Sequence, residues 1–352
     1  MKSYHINLGA GLDGLRLREH DIPTPGPREV LVRVWASSLS FRELMILIHG
    51  KYPLPVREDV IPVSDGAGEV VALGEGVTRV RVGDRVAGHI FPFWIDGPYT
   101  RDVSAQLGGS LNGTLTEYAL LPEEGVVHIP DHLSFEEAAT LPCAGVTSWN
   151  ALTGSNRLQA GNTVLTLGSG GVSLFALQFA KISGARVIAT TSSEEKVERL
   201  KALGADAVIN YRRRPDWQSA VRELTEGNGV DQVIEVGGPS TIEQSIQSTG
   251  VGGEVAMIGS LAAKTSTNVD LYSVAWAGQV TLRSIAVGSR AQFLAMNRAI
   301  SVNQLKPVID RVFPFEEARS AYEYYQHAQP FGKVIISQRL HSEPVENGRT
   351  PS

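Results

Sequence analysis

Residues 163–173 read TVLTLGSGGVS. Thr163–Leu167 is a short run of apolar and β-branched side chains, the composition of a strand buried on both faces. Gly168, Gly170 and Gly171 follow at once, with Ser169 between them. Val172–Ser183 (VSLFALQFAKIS) then spaces its apolar residues helically and stops at Gly184, a natural helix terminator. A strand that runs through a glycine turn into an apolar helix opens a βαβ unit.

The same rhythm continues downstream. Arg186–Thr190 reads as a second strand. Ser192, with Glu195 three residues on, reads as a capping box that opens a helix to Leu203, closed by Gly204. Strand Ala207–Asn210, helix Trp217–Leu224, strand Gln232–Val236, a helix near Thr241–Ser248 and strand Glu254–Ile258 complete the series. This alternation predicts an α/β fold with a doubly wound parallel sheet. From Met1 to about Pro130 the pattern differs. Val-rich runs such as Val30–Val34, Val60–Val63 and Glu69–Leu73 are short and punctuated by Gly and Pro, which predicts a partly open barrel or sandwich. Ser37–Ile48 is the exception and contains a helical turn. Residues 339–352 are polar and predicted to be disordered. No internal repeat is present.

The glycine turn carries the first chemical inference. Gly168 permits the tight turn, and Gly170 lets backbone approach a pyrophosphate. Free N–H groups at the helix start, Gly171 and Val172 among them, hold the anion. The bland alternative is a tight turn with no ligand. The third glycine of the usual pattern is replaced by Ser173, so the helix either sits farther from the strand or tucks the hydroxyl in. Sites for NAD(H) usually place an acid about 20 residues after the glycines, at the end of the second strand. Here that stretch is Ala189–Ser193, without an acid. Thr191 and Ser192 can donate to a 2′-phosphate, and Lys196 adds charge one turn on. NADP(H) is therefore expected over NAD(H). Ser192 is also explained as a plain N-cap, and Glu194 and Glu195 by the helix dipole.

Composition narrows the rest. With 352 residues, 42% of them hydrophobic, the chain is long enough for two domains with large cores. The formal net charge of -5 carries no long run of one sign, so neither nucleic acid nor an anionic membrane is an expected partner. Arg212, Arg213 and Arg214 read as a solvated turn. Cys143 is the single cysteine, which rules out an intramolecular disulfide and a cysteine-rich zinc lobe. It suits a reducing compartment, and a cytoplasmic location is expected. The start, MKSYHINLGAGL, has no leader pattern, and no apolar run is long enough for a membrane span.

Several stretches together resemble the medium-chain dehydrogenase/reductase superfamily, in particular its zinc-free quinone-oxidoreductase-like branch. They are Pro25–Val32 (PGPREVLV), Asp65–Val70 (DGAGEV), Val82–Val86 (VGDRV), Leu141–Gly145 (LPCAG) with Thr147, the glycine turn, Asn210-Tyr211 and Gly332-Lys333-Val334. The likeness runs to about Gln338. It implies a GroES-like, mostly β catalytic domain (residues 1–142 and 288–352) and a Rossmann cofactor domain (residues 143–287), with the active site between them. It also implies a homodimer, paired through Rossmann sheet edges. By the same resemblance Lys196 meets the 2′-phosphate and Tyr211 lies near the adenosine. Thr147, Gly259 and Lys333 join Gly168, Ser169, Gly170, Gly171, Val172, Thr191 and Ser192 on the cofactor surface.

Zinc-dependent members of that superfamily hold their metal with Cys, a His-Glu pair and a further Cys or Asp. Those positions fall on Ser40, on Ser64-Asp65 and on Cys143. One thiol and one carboxylate cannot supply the three protein ligands a catalytic zinc needs, so no metal is expected. Cys143 also reads as a small packing residue. Without a Lewis acid, hydride transfer needs hydrogen-bond donors at the substrate oxygen or an electron-poor substrate. Tyr52 stands where zinc-free quinone reductases carry an active-site tyrosine. Ser40, Arg42 and Ser64 are further donors, with Arg42 expected to pair with Asp65 or Glu43. The segment Phe91–Tyr99 is aromatic and either covers a flat substrate or forms a hydrophobic plug. The expected activity is zinc-independent, NADP(H)-dependent reduction of quinones, activated enones or other carbonyls. The alternatives are an NADP-dependent alcohol dehydrogenase working oxidatively, and a low-turnover NADPH-binding sensor or structural protein.

Overall fold

A computed structural model describes residues 1–48, 50, 52–259 and 270–338; the tail 339–352, expected to be disordered, lies outside them. The N-terminal part contains β1 (Lys2–Ile6), β2 (Leu15–Glu19), β3 (Glu29–Leu39), α1 (Phe41–Leu47), β4 (Asp65–Leu73), β5 (Arg85–Gly88), β6 (Tyr118–Pro122) and β7 (Val126–His128). α2 (Phe135–Ala138) and α3 (Val146–Thr153) lead into the second part. There β8 (Thr163–Thr166), α4 (Gly171–Ile182), β9 (Arg186–Thr191), α5 (Glu194–Ala202), β10 (Ala207–Asn210), α6 (Trp217–Leu224) and β11 (Val230–Glu235) alternate. α7 (Ile242–Ser248), β12 (Thr249–Met257), α8 (Leu271–Ala277) and β13 (Thr281–Ser284) follow. The chain then returns through α9 (Arg290–Asn303), β14 (Ile309–Pro314), α10 (Ala318–His327) and β15 (Lys333–Ser337).

The second part is the predicted parallel sheet, in the order β10-β9-β8-β11-β12-β13. All of its pairings are parallel. The strand order reverses between β8 and β11, so the glycine turn after β8 opens at the topological switch point, where such sheets bind ligands. α4 seats itself on this sheet by burying Leu174, Phe175, Leu177 and Phe179. Burial of one such side chain is worth roughly 1.5–3 kcal/mol. Phe179 also meets Trp149 of α3 edge-on at 5.4 Å, which joins the segment after Cys143 to the cofactor helix.

One local reading is resolved and two are corrected. Ser173 is tucked in: its hydroxyl donates to the Leu167 carbonyl at 2.6 Å, so the helix closes on the strand without a third glycine. Val60–Val63 is a buried connection rather than a strand. The capping box at Ser192 and Glu195 does not form. β9 runs on to Thr191, which moves the helix start to Glu194, and Ser193 is the N-cap without a side-chain cap bond.

The first part and the returning strands form a seven-stranded sheet in the order β14-β15-β3-β4-β5-β7, with β6 also paired to β3. Its strands are antiparallel except for β14 beside β15. Among the described residues no helix is long and apolar enough to cross a membrane.

His89 marks the junction between this sheet and the returning chain. It is fully buried, accepts from the Phe91 N–H at 3.0 Å and meets Phe293 of α9 edge-on. Burial, with the Gly288–Ser289 backbone pulling the other way and the Arg290 charge adding to burial, holds its pKa down at about 4. Below the ordinary value of about 6.5 the unfolded chain takes up a proton that the fold refuses. Stability attributable to His89 is therefore full above that value and lost as pH falls toward 4, by up to about 3 kcal/mol. Urea unfolding at pH 7 and pH 4.5 should show a smaller pH difference in His89→Gln than in the unsubstituted protein.

Candidate active site

Strand register brings sequence-remote residues to one point. β15 pairs antiparallel with β3, setting Val334 opposite Leu39, and β3 pairs antiparallel with β4, setting Ser38 opposite Asp65. The ends of these strands thus gather Lys333, Leu39-Ser40 and Asp65. Ser40 also stands at the N-cap of α1, so the same chain reversal presents Arg42 and Glu43. Cys143 comes from a π-helical turn, Leu141–Gly145, a form of helix found frequently at functional sites.

The buried carboxylates organise the polar groups. Asp65, with no exposed surface, accepts from Ser40 Oγ at 3.1 Å and from Ser64 Oγ at 2.8 Å. Its cation is Lys333, at 3.4 Å. Of the two partners expected for Arg42, Asp65 and Glu43, the structure pairs it with Glu43 at 2.8 Å, while Lys333 takes the position beside Asp65. Arg42 also donates to Gln106 Oε1 at 2.9 Å and to the Leu107 carbonyl at 3.2 Å. Glu43 accepts from the backbone N–H groups of Val63 and Ser64, both at 3.3 Å. Val63 has φ +68, a left-handed conformation that costs a β-branched residue of order 1–3 kcal/mol. Glu43 holds that turn, and the turn aims Ser64 and Asp65 inward.

These contacts set the electrostatics. Burial raises the Asp65 pKa, while Lys333, Ser64, Ser40 and Arg42 pull it back. Cys143 stays partly open, yet burial and then Asp65 push its thiol up to about 11. For Arg42, burial works against the charged form, but Glu43 and then Tyr52 outweigh it and raise the pKa. The Arg42 guanidinium lies 5.0 Å from the centroid of the Tyr52 ring. Tyr325 of α10 faces the same cluster: burial and then Cys143, Asp65 and Glu43 raise its pKa. Sequence periodicity marks Tyr325 as an ordinary helix residue and gives no hint of this placement.

Of the four expected catalytic residues, the structure gathers all around Asp65 and Glu43, but not in equivalent roles. Ser40 and Ser64 each donate their one hydroxyl proton to Asp65. Arg42 has its terminal nitrogens on Glu43, Gln106 and Leu107. Tyr52 is half-buried and leans on Arg42. In the aromatic segment, Phe91 and Trp94 are buried and stack with Tyr99 in edge contacts of 5.4 and 5.1 Å, a packed plug. Phe93 remains exposed at the surface of that plug.

Of the residues expected to meet the cofactor, Gly168, Thr191, Tyr211 and Gly259 end or follow strands of the parallel sheet, whereas Thr147 lies on α3, Lys196 on α5 and Lys333 on β15 of the other sheet. Gly168 adopts φ +74, and its N–H donates to Thr190 Oγ1 at 3.2 Å. An added Cβ on Gly170 would meet no atom within 4 Å, so open space lies where a pyrophosphate would approach. The first backbone bond of α4, Leu174 to Gly170, leaves the amides before it directed out of the helix end. Asn210 pairs with Thr191, and the Tyr211 N–H donates to the Thr191 carbonyl, which brings the β10 end beside Ser192. Gly259 follows β12 and packs against the Val236 backbone so closely that a Cβ would lie 2.0 Å from its carbonyl oxygen. Thr147 is buried on α3. Lys196 donates to the Gln329 carbonyl at 2.6 Å, and burial lowers its pKa.

The arginine turn after Tyr211 is more than solvated charge. Arg213 pairs with Glu194 at 3.2 Å and Arg214 binds Glu223 through two hydrogen bonds. Arg212 makes no side-chain hydrogen bond or ion pair among the described residues, although it adjoins the Thr191–Ser192 edge. Only the pairing of β10 with β9 discloses that neighbourhood.

The residues present do not fit a catalytic zinc. No cluster of three or more His, Cys, Asp or Glu side chains able to hold a metal occurs among the described residues. The positions of the expected ligands hold two serines whose protons go to Asp65 and a thiol whose pKa is raised. They do fit a dinucleotide, through the open Gly170 cradle and the helix start behind it.

Comparison with known proteins agrees on ancestry. The zinc-binding dehydrogenase family matches residues 171–301, and the alcohol dehydrogenase GroES-like domain matches residues 26–131. A zinc-type alcohol dehydrogenase-like protein of Schizosaccharomyces pombe is 44% identical over 93% of this chain and 96% of its own length. A quinone oxidoreductase of Pseudomonas aeruginosa is 34% identical over 80% of each. Among solved structures, an NAD-dependent alcohol dehydrogenase superposes with a TM-score of 0.87 at 32% identity, covering 96% of this chain and 99% of that one. A mycobacterial protein solved in complex with NADPH gives a TM-score of 0.80 at 28% identity, covering 96% of this chain and 100% of that one.

Proposed function

Because this chain belongs to the medium-chain dehydrogenase/reductase superfamily of oxidoreductases, we propose that it moves a hydride between NADP(H) and a quinone, an activated enone or another carbonyl, without zinc. The observation that carries this reading is the Tyr52 phenol leaning on the buried Arg42 guanidinium. Reduction leaves negative charge on the substrate oxygen, and a positioned donor must meet it. Ser40 and Ser64 have committed their protons to Asp65. Tyr52 remains as the donor, with the Arg42 guanidinium beside its ring. Quinones and enones suit such a site because conjugation spreads the developing charge.

Bound NADPH supplies the hydride. Gly168–Val172 hold its pyrophosphate, with Thr147 and Gly259 bordering the crevice. Thr191 and Ser192 meet the adenosine ribose, with Tyr211 beside it. Lys196, and Arg212, whose side chain makes no hydrogen bond or ion pair among the described residues, supply positive charge that favours a 2′-phosphate. The exposed rings of Tyr272 and Trp276 on α8, next to the outer strand β13, fit a homodimer joined at this sheet edge.

NADPH consumption across a quinone, an enone, an aldehyde and a ketone tests the activity. Turnover is expected with the conjugated substrates, and Tyr52→Phe should lower kcat by about 10²- to 10⁴-fold while leaving NADPH affinity intact. Binding without turnover on any substrate would point instead to a sensor or structural role. For cofactor choice, Lys196→Ala and Arg212→Ala should each weaken NADPH binding about 10-fold and leave NADH binding nearly unchanged. Equal loss for both nucleotides would remove the phosphate reading. In sedimentation, Trp276→Glu should shift a dimer toward monomer.

A further inference from the structure

Ser40, Asp65 and Cys143 converge from three separate segments, and the Lys333 ammonium stands among them. All three of its protons have acceptors: the Leu39 carbonyl at 2.7 Å, Ser40 Oγ at 2.8 Å and Asp65 Oδ2 at 3.4 Å. The lysine is only 3% exposed, so these bonds face little competition from water. Its aliphatic stem passes close to Gly171, where an added Cβ would lie 2.5 Å from Lys333 Cδ. The side chain is therefore held at both ends, by a glycine without a Cβ and by buried acceptors.

We propose that Lys333 is the resident cation of this site, standing where zinc-dependent relatives hold their metal and keeping divalent ions out. The charge balance supports it. Asp65 is the carboxylate at this point, and one ammonium already answers it. A dication bound by Ser40, Asp65 and Cys143 would lie within about 4 Å of that ammonium, and even at the dielectric constant of water this repulsion weakens binding about 30-fold. Repelling the lysine would strand its donors away from the acceptors that surround them.

The inference rests on the zinc-free reading of the site, and cobalt separates the two. Co(II) is titrated into the unsubstituted protein, Ser40→Cys and Ser40→Cys/Lys333→Met, and the thiolate-to-cobalt absorption band is followed. The paired substitution supplies two thiols and Asp65, the three protein ligands a metal site requires. The expected result is no band in the first two proteins and a saturable band in the third, with affinity at least about 30-fold above Ser40→Cys. Circular dichroism and a cooperative thermal unfolding transition check that each variant is folded. If Lys333→Met does not fold, Lys333→Gln, which keeps a donor toward Ser40, replaces it in the pair. Tight cobalt binding by Ser40→Cys alone, or none by the folded pair, would overturn the role of Lys333. A thiolate band in the unsubstituted protein would instead overturn the zinc-free reading itself.

Discussion

The backbone clasp between Ser169 and Gly332 fixes the relation between cofactor turn and chemical site. The Gly332 N–H donates to the Ser169 carbonyl at 3.0 Å, and Gly170 and Gly332 form a parallel bridge. One side of this clasp is the turn that opens α4. The other is the start of β15, whose next residue, Lys333, reaches into the catalytic sheet. A short stretch of backbone thus links the dinucleotide crevice to Asp65 and Ser40. Gly332 has φ +108, and a Cβ there would strike the Val308 carbonyl at 2.4 Å, so the close approach requires glycine.

Charge neutralisation around the clasp is local. Each buried carboxylate has its own cation: Asp65 has Lys333 and Glu43 has Arg42. Buried pairs of this kind contribute little net stability, since desolvation offsets attraction, but removing one partner costs about 3–5 kcal/mol. Their value here is positional. Lys333 fixes the Ser40 and Asp65 side chains, while Arg42 ties α1 to Gln106 and Leu107 and supports Tyr52. The Ser40 and Ser64 hydroxyls are structural partners of Asp65, which leaves the Tyr52 phenol outside that set.

Much of this was legible in the sequence. The glycine turn, the alternation after it and the Val-rich N-terminal strands identify both sheets, because hydrophobic period and turn residues are local signals. That Ser40 and Ser64 stand where the resemblance would put metal ligands is also visible as residue type. What the sequence hides depends on register and side-chain reach. Arg42 chooses Glu43 over Asp65 because Lys333, remote in sequence, arrives beside Asp65 through the pairing of β15 with β3. Arg212 becomes a neighbour of Thr191 only through the pairing of β10 with β9. The helix start at Glu194 follows from one extra strand residue in β9, an increment finer than propensity can resolve. Tyr325 enters the site from a helix whose pattern announces only packing.

The central claim is that the amides following Gly168 grip a phosphorylated dinucleotide. Hydrogen exchange of the backbone across residues 168–174, measured with and without saturating NADPH, tests it most directly. Strong slowing confined to this turn and to the ends of β9 and β10 is the predicted result. Unchanged exchange at the turn, with nucleotide demonstrably bound elsewhere, would contradict the account.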